Sequence, residues 1–253
     1  MYVEDIGTGP PILALHGLGG GAWFFGGFAR RLASDSRVVS VDLPGTGRSR
    51  PPSDGYSAET WVADLGDLVR TRVSGPVTIL GHSMGTILAL KAWAAWPELI
   101  EGLIFAGGLP EPRPAIRERL SARADDIRAN GIAGWGPRAS PGIFSPATLE
   151  RQPELVALFE RLFEAQDAGS YVRCCEILLG ASARAVVPTV QVPCLSITGA
   201  DDQYAPPDHV GRFMQELRSP ARQAVIPDCG HLPFLEAPAA FAGLAKSFLQ
   251  TLC

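Results

Sequence analysis

Short apolar runs recur along the chain and alternate with longer stretches whose apolar residues return at helical spacing. The runs Ile12–Leu15, Val38–Val41, Val77–Leu80, Leu103–Ala106, Cys194–Thr198 and Ala224–Ile226 predict strands. About the first six residues predict an added antiparallel edge strand. Helical patterns fall near 22–34, 59–73, 84–96, 207–218 and 238–251. Strand and helix alternating in this way predict an α/β fold, a mostly parallel sheet flanked by helices. The rhythm breaks once. About 85 residues separate the strand ending near Gly107 from the one starting near Val192, far more than a crossover needs. That interval opens on Pro110, Pro112 and Pro114 and carries helical patterns at about 115–129, 153–166 and 169–180. The reading is a core of 1–109 and 190–253 with a helical lid, 110–189, inserted over the carboxyl ends of the strands.

Composition narrows the partners more than the fold. With 253 residues, 46% hydrophobic and 19% charged, the chain can bury a sizeable core. Net charge is −4, and Lys91 and Lys246 are its lysines, which argues against nucleic acid as a partner. The amino terminus lacks a basic region followed by an apolar one, and no apolar stretch reaches the roughly 18 residues of a membrane span. No membrane association and a cytoplasmic location are therefore expected. The cysteines, Cys174, Cys175, Cys194, Cys229 and Cys253, are odd in number and form no C-x-x-C, so reduced thiols are expected. No metal and no cofactor are called for, and nothing fixes the oligomeric state.

The chemistry concentrates in Gly81-His82-Ser83-Met84-Gly85, which stands between a predicted strand and a predicted helix. A G-x-S-x-G in that setting is a nucleophile elbow: a sharp turn lifts the serine hydroxyl clear of the sheet, and the helix start below favours negative charge. Ser83 then needs a base, an acid and oxyanion donors. Of the four histidines, His231 lies in the loop Cys229-Gly230-His231-Leu232-Pro233 after the last strand, where it can reach Ser83. His82 is inside the elbow and points elsewhere, His16 precedes a glycine-rich turn, and His209 lies in a predicted helix. Asp201 and Asp202 both stand between Ser83 and His231 in chain order, and spacing alone does not choose between them. Backbone N–H groups of Met84 and of Leu18, in Leu15-His16-Gly17-Leu18-Gly19-Gly20-Gly21, are the candidate oxyanion donors. Gly17-x-Gly19 goes partway to a dinucleotide loop with Ala22 in its sixth position, but Asp42 alone could close the unit, and that reading is set aside. Trp23, Phe24, Phe25, Trp135 and Phe144 are candidates for an apolar pocket, Trp135 first because glycines flank it.

His16-Gly17-Leu18-Gly19, the turn Asp42 to Ser49, the elbow, Gly199-Ala200-Asp201-Asp202 and Gly230-His231 together resemble the α/β-hydrolase superfamily over nearly the whole chain. The resemblance implies a serine hydrolase acting through an acyl-enzyme. It selects Asp202 as the acid, three residues after Gly199 and four before Pro206, and gives the Asp42–Ser49 turn a structural job. Phe144-Ser145-Pro146, Pro153-Glu154-Leu155-Val156 and Ser170 to Cys175 resemble the lid of 3-oxoadipate enol-lactonases and related esterases and carbamate or aminoacrylate hydrolases. That likeness implies a small ester or lactone substrate, one carrying a carboxylate in the enol-lactonases, and hence a pocket cation, for which Arg173, Arg138 and Arg113 are candidates. The same triad also serves C–C bond hydrolases, perhydrolases, hydroxynitrile lyases and ligand-binding proteins. A carboxylate-nucleophile dehalogenase is disfavoured because position 83 is Ser.

Overall fold

The computed structural model of the chain describes residues 1–51, 55, 57–73 and 75–252. Seven strands form one sheet: β1 (Tyr2–Ile6), β2 (Pro11–Leu15), β3 (Arg37–Asp42), β4 (Val77–His82), β5 (Ile100–Ala106), β6 (Cys194–Gly199) and β7 (Ala221–Ile226). Their spatial order is β1-β3-β2-β4-β5-β6-β7. β1 pairs antiparallel with β3, and every other pairing is parallel. Successive residues of β2 face opposite ways, and both faces are dry: Leu13 and Leu15 join one apolar cluster, Ile12 and Ala14 the other. Helices on both sides of the sheet account for this, and explain why the inner strands read as continuous apolar runs. The expected α/β architecture is therefore present.

Helices α1 (Gly26–Leu32), α2 (Ala58–Leu68) and α3 (Met84–Ala95) follow β2, β3 and β4. Between β5 and β6 come α4 (Pro114–Asn130), α5 (Trp135–Ile143), α6 (Pro146–Arg151), α7 (Pro153–Glu164) and α8 (Ala168–Gly180). The chain closes with α9 (Pro207–Glu216), a short turn of helix α10 (Pro233–Glu236) and α11 (Pro238–Leu249). Side-chain caps fix several starts: Ser57, Ser145 and Asp167 each accept an N–H from the first turn of α2, α6 and α8.

Three departures from the sequence pattern have physical causes. β7 begins at Ala221 rather than Ala224, because its first half is exposed and carries Arg222 and Gln223. α5 has no counterpart among the predicted helices: Gly136, Pro137, Pro141 and Gly142 disguise it, although it buries Ala139, Ser140 and Ile143. α6 is likewise additional, a short helix between Phe144 and Pro153.

The insert packs into both apolar clusters. Ile116, Leu120 and Cys174 join the one containing Leu13, and Phe159, Phe163 and Cys175 the one containing Ile12. Cys174, Cys175, Cys194 and Cys229 are free and buried. Burial pushes the Cys174 and Cys175 thiols up to about 12, which suits packing rather than redox chemistry. Cys253 lies outside the described residues. Among the described residues, no helix is long and apolar enough to cross a membrane.

Candidate active site

β4 ends at His82 and α3 begins at Met84, so Ser83 alone makes the turn, at φ 51° and ψ −114°. Such a conformation costs a non-glycine residue about 1–3 kcal/mol and persists only where its surroundings enforce it. The surroundings do so. The Ser83 N–H donates to Ala106 C=O at 3.1 Å, and its carbonyl accepts from Thr86 N–H at 2.9 Å. A Cβ at Gly81 would strike the Gly85 carbonyl, and one at Gly85 would strike the Leu15 carbonyl. Both glycines are therefore required for β2, β4 and α3 to meet at this point.

Asp202 follows β6 and His231 follows β7. His231 Nδ1 lies 2.9 Å and 3.0 Å from the two Asp202 carboxylate oxygens. Asp202 Oδ1 also accepts the N–H groups of Tyr204 and Ala205, at 2.8 and 2.9 Å. With both Asp202 oxygens facing Nδ1 as acceptors, Nδ1 carries the ring proton and Nε2 is left without one. Asp201 is exposed and takes no part. The Tyr204 ring lies over the His231 imidazole, centroids 4.8 Å apart and planes tilted by 30°.

The His231 backbone is held as firmly as its ring. Its N–H donates to Ile143 C=O at 2.7 Å, and its C=O accepts from His82 Nε2 at 3.0 Å. The flanking N–H groups of Gly230 and Leu232 donate to the buried carboxylate of Glu236 at 3.0 and 3.1 Å. Glu236 also accepts from Ser145 N–H and Thr148 Oγ1, at 2.9 and 2.8 Å, so one carboxylate joins the histidine loop to the start of α6. A Cβ at Gly230 would run into the Ile143 carbonyl.

Ser83 and His231 open into one cavity. They are not hydrogen-bonded to each other in this structure. Leu18 and Met84 line the same cavity. The N–H of Met84, first residue of α3, has no acceptor within its helix. Most of the remaining wall is apolar: Ile87, Leu109, Ile116, Leu120 and Leu178.

A family model described as the alpha/beta hydrolase family matches residues 12–244. The chain belongs to the alpha/beta hydrolase family. It is accordingly a hydrolase. It is 28% identical over 257 residues to the pimeloyl-[acyl-carrier protein] methyl ester esterase of Chromobacterium violaceum, covering 99% of this chain and 98% of that protein. Among solved structures it is similar to the enol-lactonase from Burkholderia xenovorans LB400, with TM-score 0.91 and 25% identity over 98% of this chain and 96% of that one. It shares its fold with a thermophilic esterase from Thermogutta terrifontis, with TM-score 0.91 and 23% identity over 99% of this chain and 93% of that one.

The pocket residues expected from sequence need correction, because none of them lines this cavity. Phe24 and Phe144 are core residues, packed on Phe234 and Phe159. Trp23 lines a separate depression beside Asp42 and Gln166. Trp135 donates its indole N–H to Asp126 at 2.8 Å and lies under Arg138. Arg173 is exposed, in a surface depression with Arg128 and Glu176. Of the other two arginines weighed, Arg138 pairs with Asp126, and Arg113 donates to the carbonyls of Gln203 and Tyr204.

The cation on the cavity wall is Arg123 of α4. It is 6% exposed, and no carboxylate among the described residues pairs with it. Nη1 donates to Tyr171 Oη at 3.2 Å and Nη2 to Tyr204 Oη at 3.0 Å, while Nε has no partner. Burial pushes the Tyr171 phenol up, so it stays neutral. Glu111, on the same wall, bonds to Ser182 and faces Arg184 instead. The sequence carried a signal for Arg123. Ile116, Leu120, Arg123 and Ile127 form one buried stripe at helical spacing, with a charge where an apolar residue is due.

Proposed function

We propose that the protein hydrolyses a small carboxylic ester or lactone that carries a carboxylate, through an acyl-enzyme on Ser83. His231 Nε2 takes the Ser83 proton as Oγ attacks the carbonyl carbon. The Leu18 and Met84 N–H groups receive the oxyanion, where a single donor is worth about 10²–10³ in rate. Asp202 holds the His231 tautomer and stabilises its cation. Protonated His231 then gives its proton to the departing alkoxide, which in a lactone stays tethered to the acyl group. A water deprotonated by His231 releases the acid. The helical insert, 110–189, acts as the lid that closes this cavity and selects the substrate.

The observation that carries this reading is His231, bonded to the buried Asp202, lining the same cavity as a serine held at positive φ. Arg123 supports the carboxylate. A buried guanidinium without a counter-ion costs several kcal/mol, and a bound anion offsets that cost. Ser83→Ala is expected to reduce turnover of a short p-nitrophenyl ester by about 10⁶-fold. Near-wild-type turnover in that variant would sink the assignment. A panel of esters and lactones with and without a carboxylate, and of C–C substrates, tests the substrate class. Faster turnover of a C–C substrate than of any ester would move the reading to that reaction on the same triad.

A further inference from the structure

We propose that His16 and His82 are positioning residues that hold the oxyanion hole through opposite tautomers. This rests on the reading of Leu18 N–H as an oxyanion donor. Gly17 lies between the two imidazoles. Its N–H donates to His82 Nδ1 at 3.2 Å, and its C=O is 2.7 Å from His16 Nδ1. Each ring's other nitrogen fixes its tautomer. His16 Nε2 accepts the Leu43 N–H at 3.1 Å, so the His16 proton is on Nδ1 and points at the Gly17 carbonyl. His82 Nδ1 is an acceptor, so its proton is on Nε2, the nitrogen facing the His231 carbonyl at 3.0 Å. Burial lowers the pKa of both rings, that of His82 well below the usual histidine value, which keeps them in these neutral forms.

The consequence follows from peptide geometry. The Gly17 C=O and the Leu18 N–H belong to one planar trans peptide and point in opposite directions. Holding the carbonyl therefore aims the N–H. His16 holds it from one side, and Gly20 N–H adds a second bond at 3.1 Å. Leu18 lies on the wall shared with Ser83. His82 does a second job with the same ring: it ties this loop to the backbone of the base, His231. No side chain fits at position 17, where a Cβ would stand 2.8 Å from both His82 Nδ1 and Ser83 Cβ. His16 in turn is anchored in the turn after β3, where its Nε2 also lies 3.0 Å from Thr46 Oγ1. That turn is built on Asp42, whose carboxylate accepts the N–H groups of Ala22 and Arg48 at 2.6 and 2.7 Å. The turn thereby acts on the chemistry at one remove.

Asparagine and glutamine substitutions separate the two nitrogens, because their amides reach the Nδ1 and Nε2 positions respectively. His16→Asn keeps a donor for the Gly17 carbonyl, and His16→Gln does not. His82→Asn keeps an acceptor for the Gly17 N–H, and His82→Gln does not. Both glutamine variants are expected to lose about 10–100-fold in kcat on a neutral p-nitrophenyl ester, with KM within about twofold, since a misaimed donor loses part of what a deleted one does. Each asparagine variant should retain at least about fivefold more kcat than the glutamine variant at the same position. The inhibition constant of an alkylboronic acid, which forms a tetrahedral adduct on Ser83, should rise by the same factor as kcat falls. Glutamine variants with wild-type kcat, or with raised KM alone, would overturn the proposal. Where a variant does not fold, ¹⁵N shifts of the imidazoles in the wild-type chain decide: Nδ1–H for His16 and Nε2–H for His82 support it, and the reverse tautomer at either ring overturns it. Active Ser83→Ala protein would instead remove the underlying functional reading, whatever the histidine variants do.

Discussion

The sheet side of the site and the helical insert hold their residues by different means. On the sheet side the fixing elements are backbone: a serine at positive φ, glycines that let β2, β4 and α3 touch, and peptide groups bonded to His16, His82 and Asp202. In the insert they are side chains: Phe159 against Phe144 and Phe163, Arg123 on two phenols, Trp135 between arginines. Backbone devices tolerate almost no substitution. Side-chain packing can be rebuilt with other residues of similar volume. The first arrangement suits chemistry that must not vary, the second a pocket whose selectivity can be retuned.

The sharpest test of this contrast is on the sheet side. Asp202→Asn should keep the fold, because Oδ1 can still accept the Tyr204 and Ala205 N–H groups, yet lower kcat by about 10⁴-fold by favouring the wrong His231 tautomer. Steady-state kinetics with a thermal melt checks both halves, and a loss below tenfold would break the assignment of Asp202. Arg123→Met tests the insert and should act differently. Selectivity for a carboxylated ester over its neutral isostere should fall by about 100-fold with neutral turnover little changed, as expected for a lost charge-assisted contact of about 2–3 kcal/mol. The melting temperature should rise or hold, since replacing a buried unpaired ion by an apolar residue is often stabilising. A large stability loss would make Arg123 a packing residue.

The smallest effect is on pH. His16 and His82 have folded pKa values lowered from 6.5, chiefly by burial, so the unfolded chain binds the extra protons. Their contribution to stability is complete above about pH 6.5 and is lost as pH falls below it towards the folded values. Each histidine adds at most about 1.4 kcal/mol per pH unit in that window. Urea unfolding at pH 7, 6 and 5 should show the decline, with a shallower slope in His82→Gln. A flat profile would contradict neutral burial of the two rings.

What could be read from sequence follows the same division. The elbow was legible because its backbone strain demands glycine at fixed offsets around Ser83, and the inner strands because both their faces are dry. Asp201 and Asp202 were not separable by spacing; the hydrogen bonds of Tyr204, Ala205 and His231 distinguish them. The aromatic candidates did not reach the cavity because large apolar rings go first to the core, as Phe24 and Phe144 do. Arg123 was in view as a charge on an apolar stripe, but its partners, Tyr171 and Tyr204, stand 48 and 81 residues away.

Glu236 bears on how such proteins could be recombined. Because its carboxylate binds Gly230 and Leu232 on one side and Ser145 and Thr148 on the other, the insert is no interchangeable cassette. A graft of a foreign segment between β5 and β6 that omits the donors at 145 and 148, or the carbonyl at 143, would loosen the His231 loop along with the cavity wall. Chimeras that keep residues 143–148 native and exchange the helices on either side leave that joint intact.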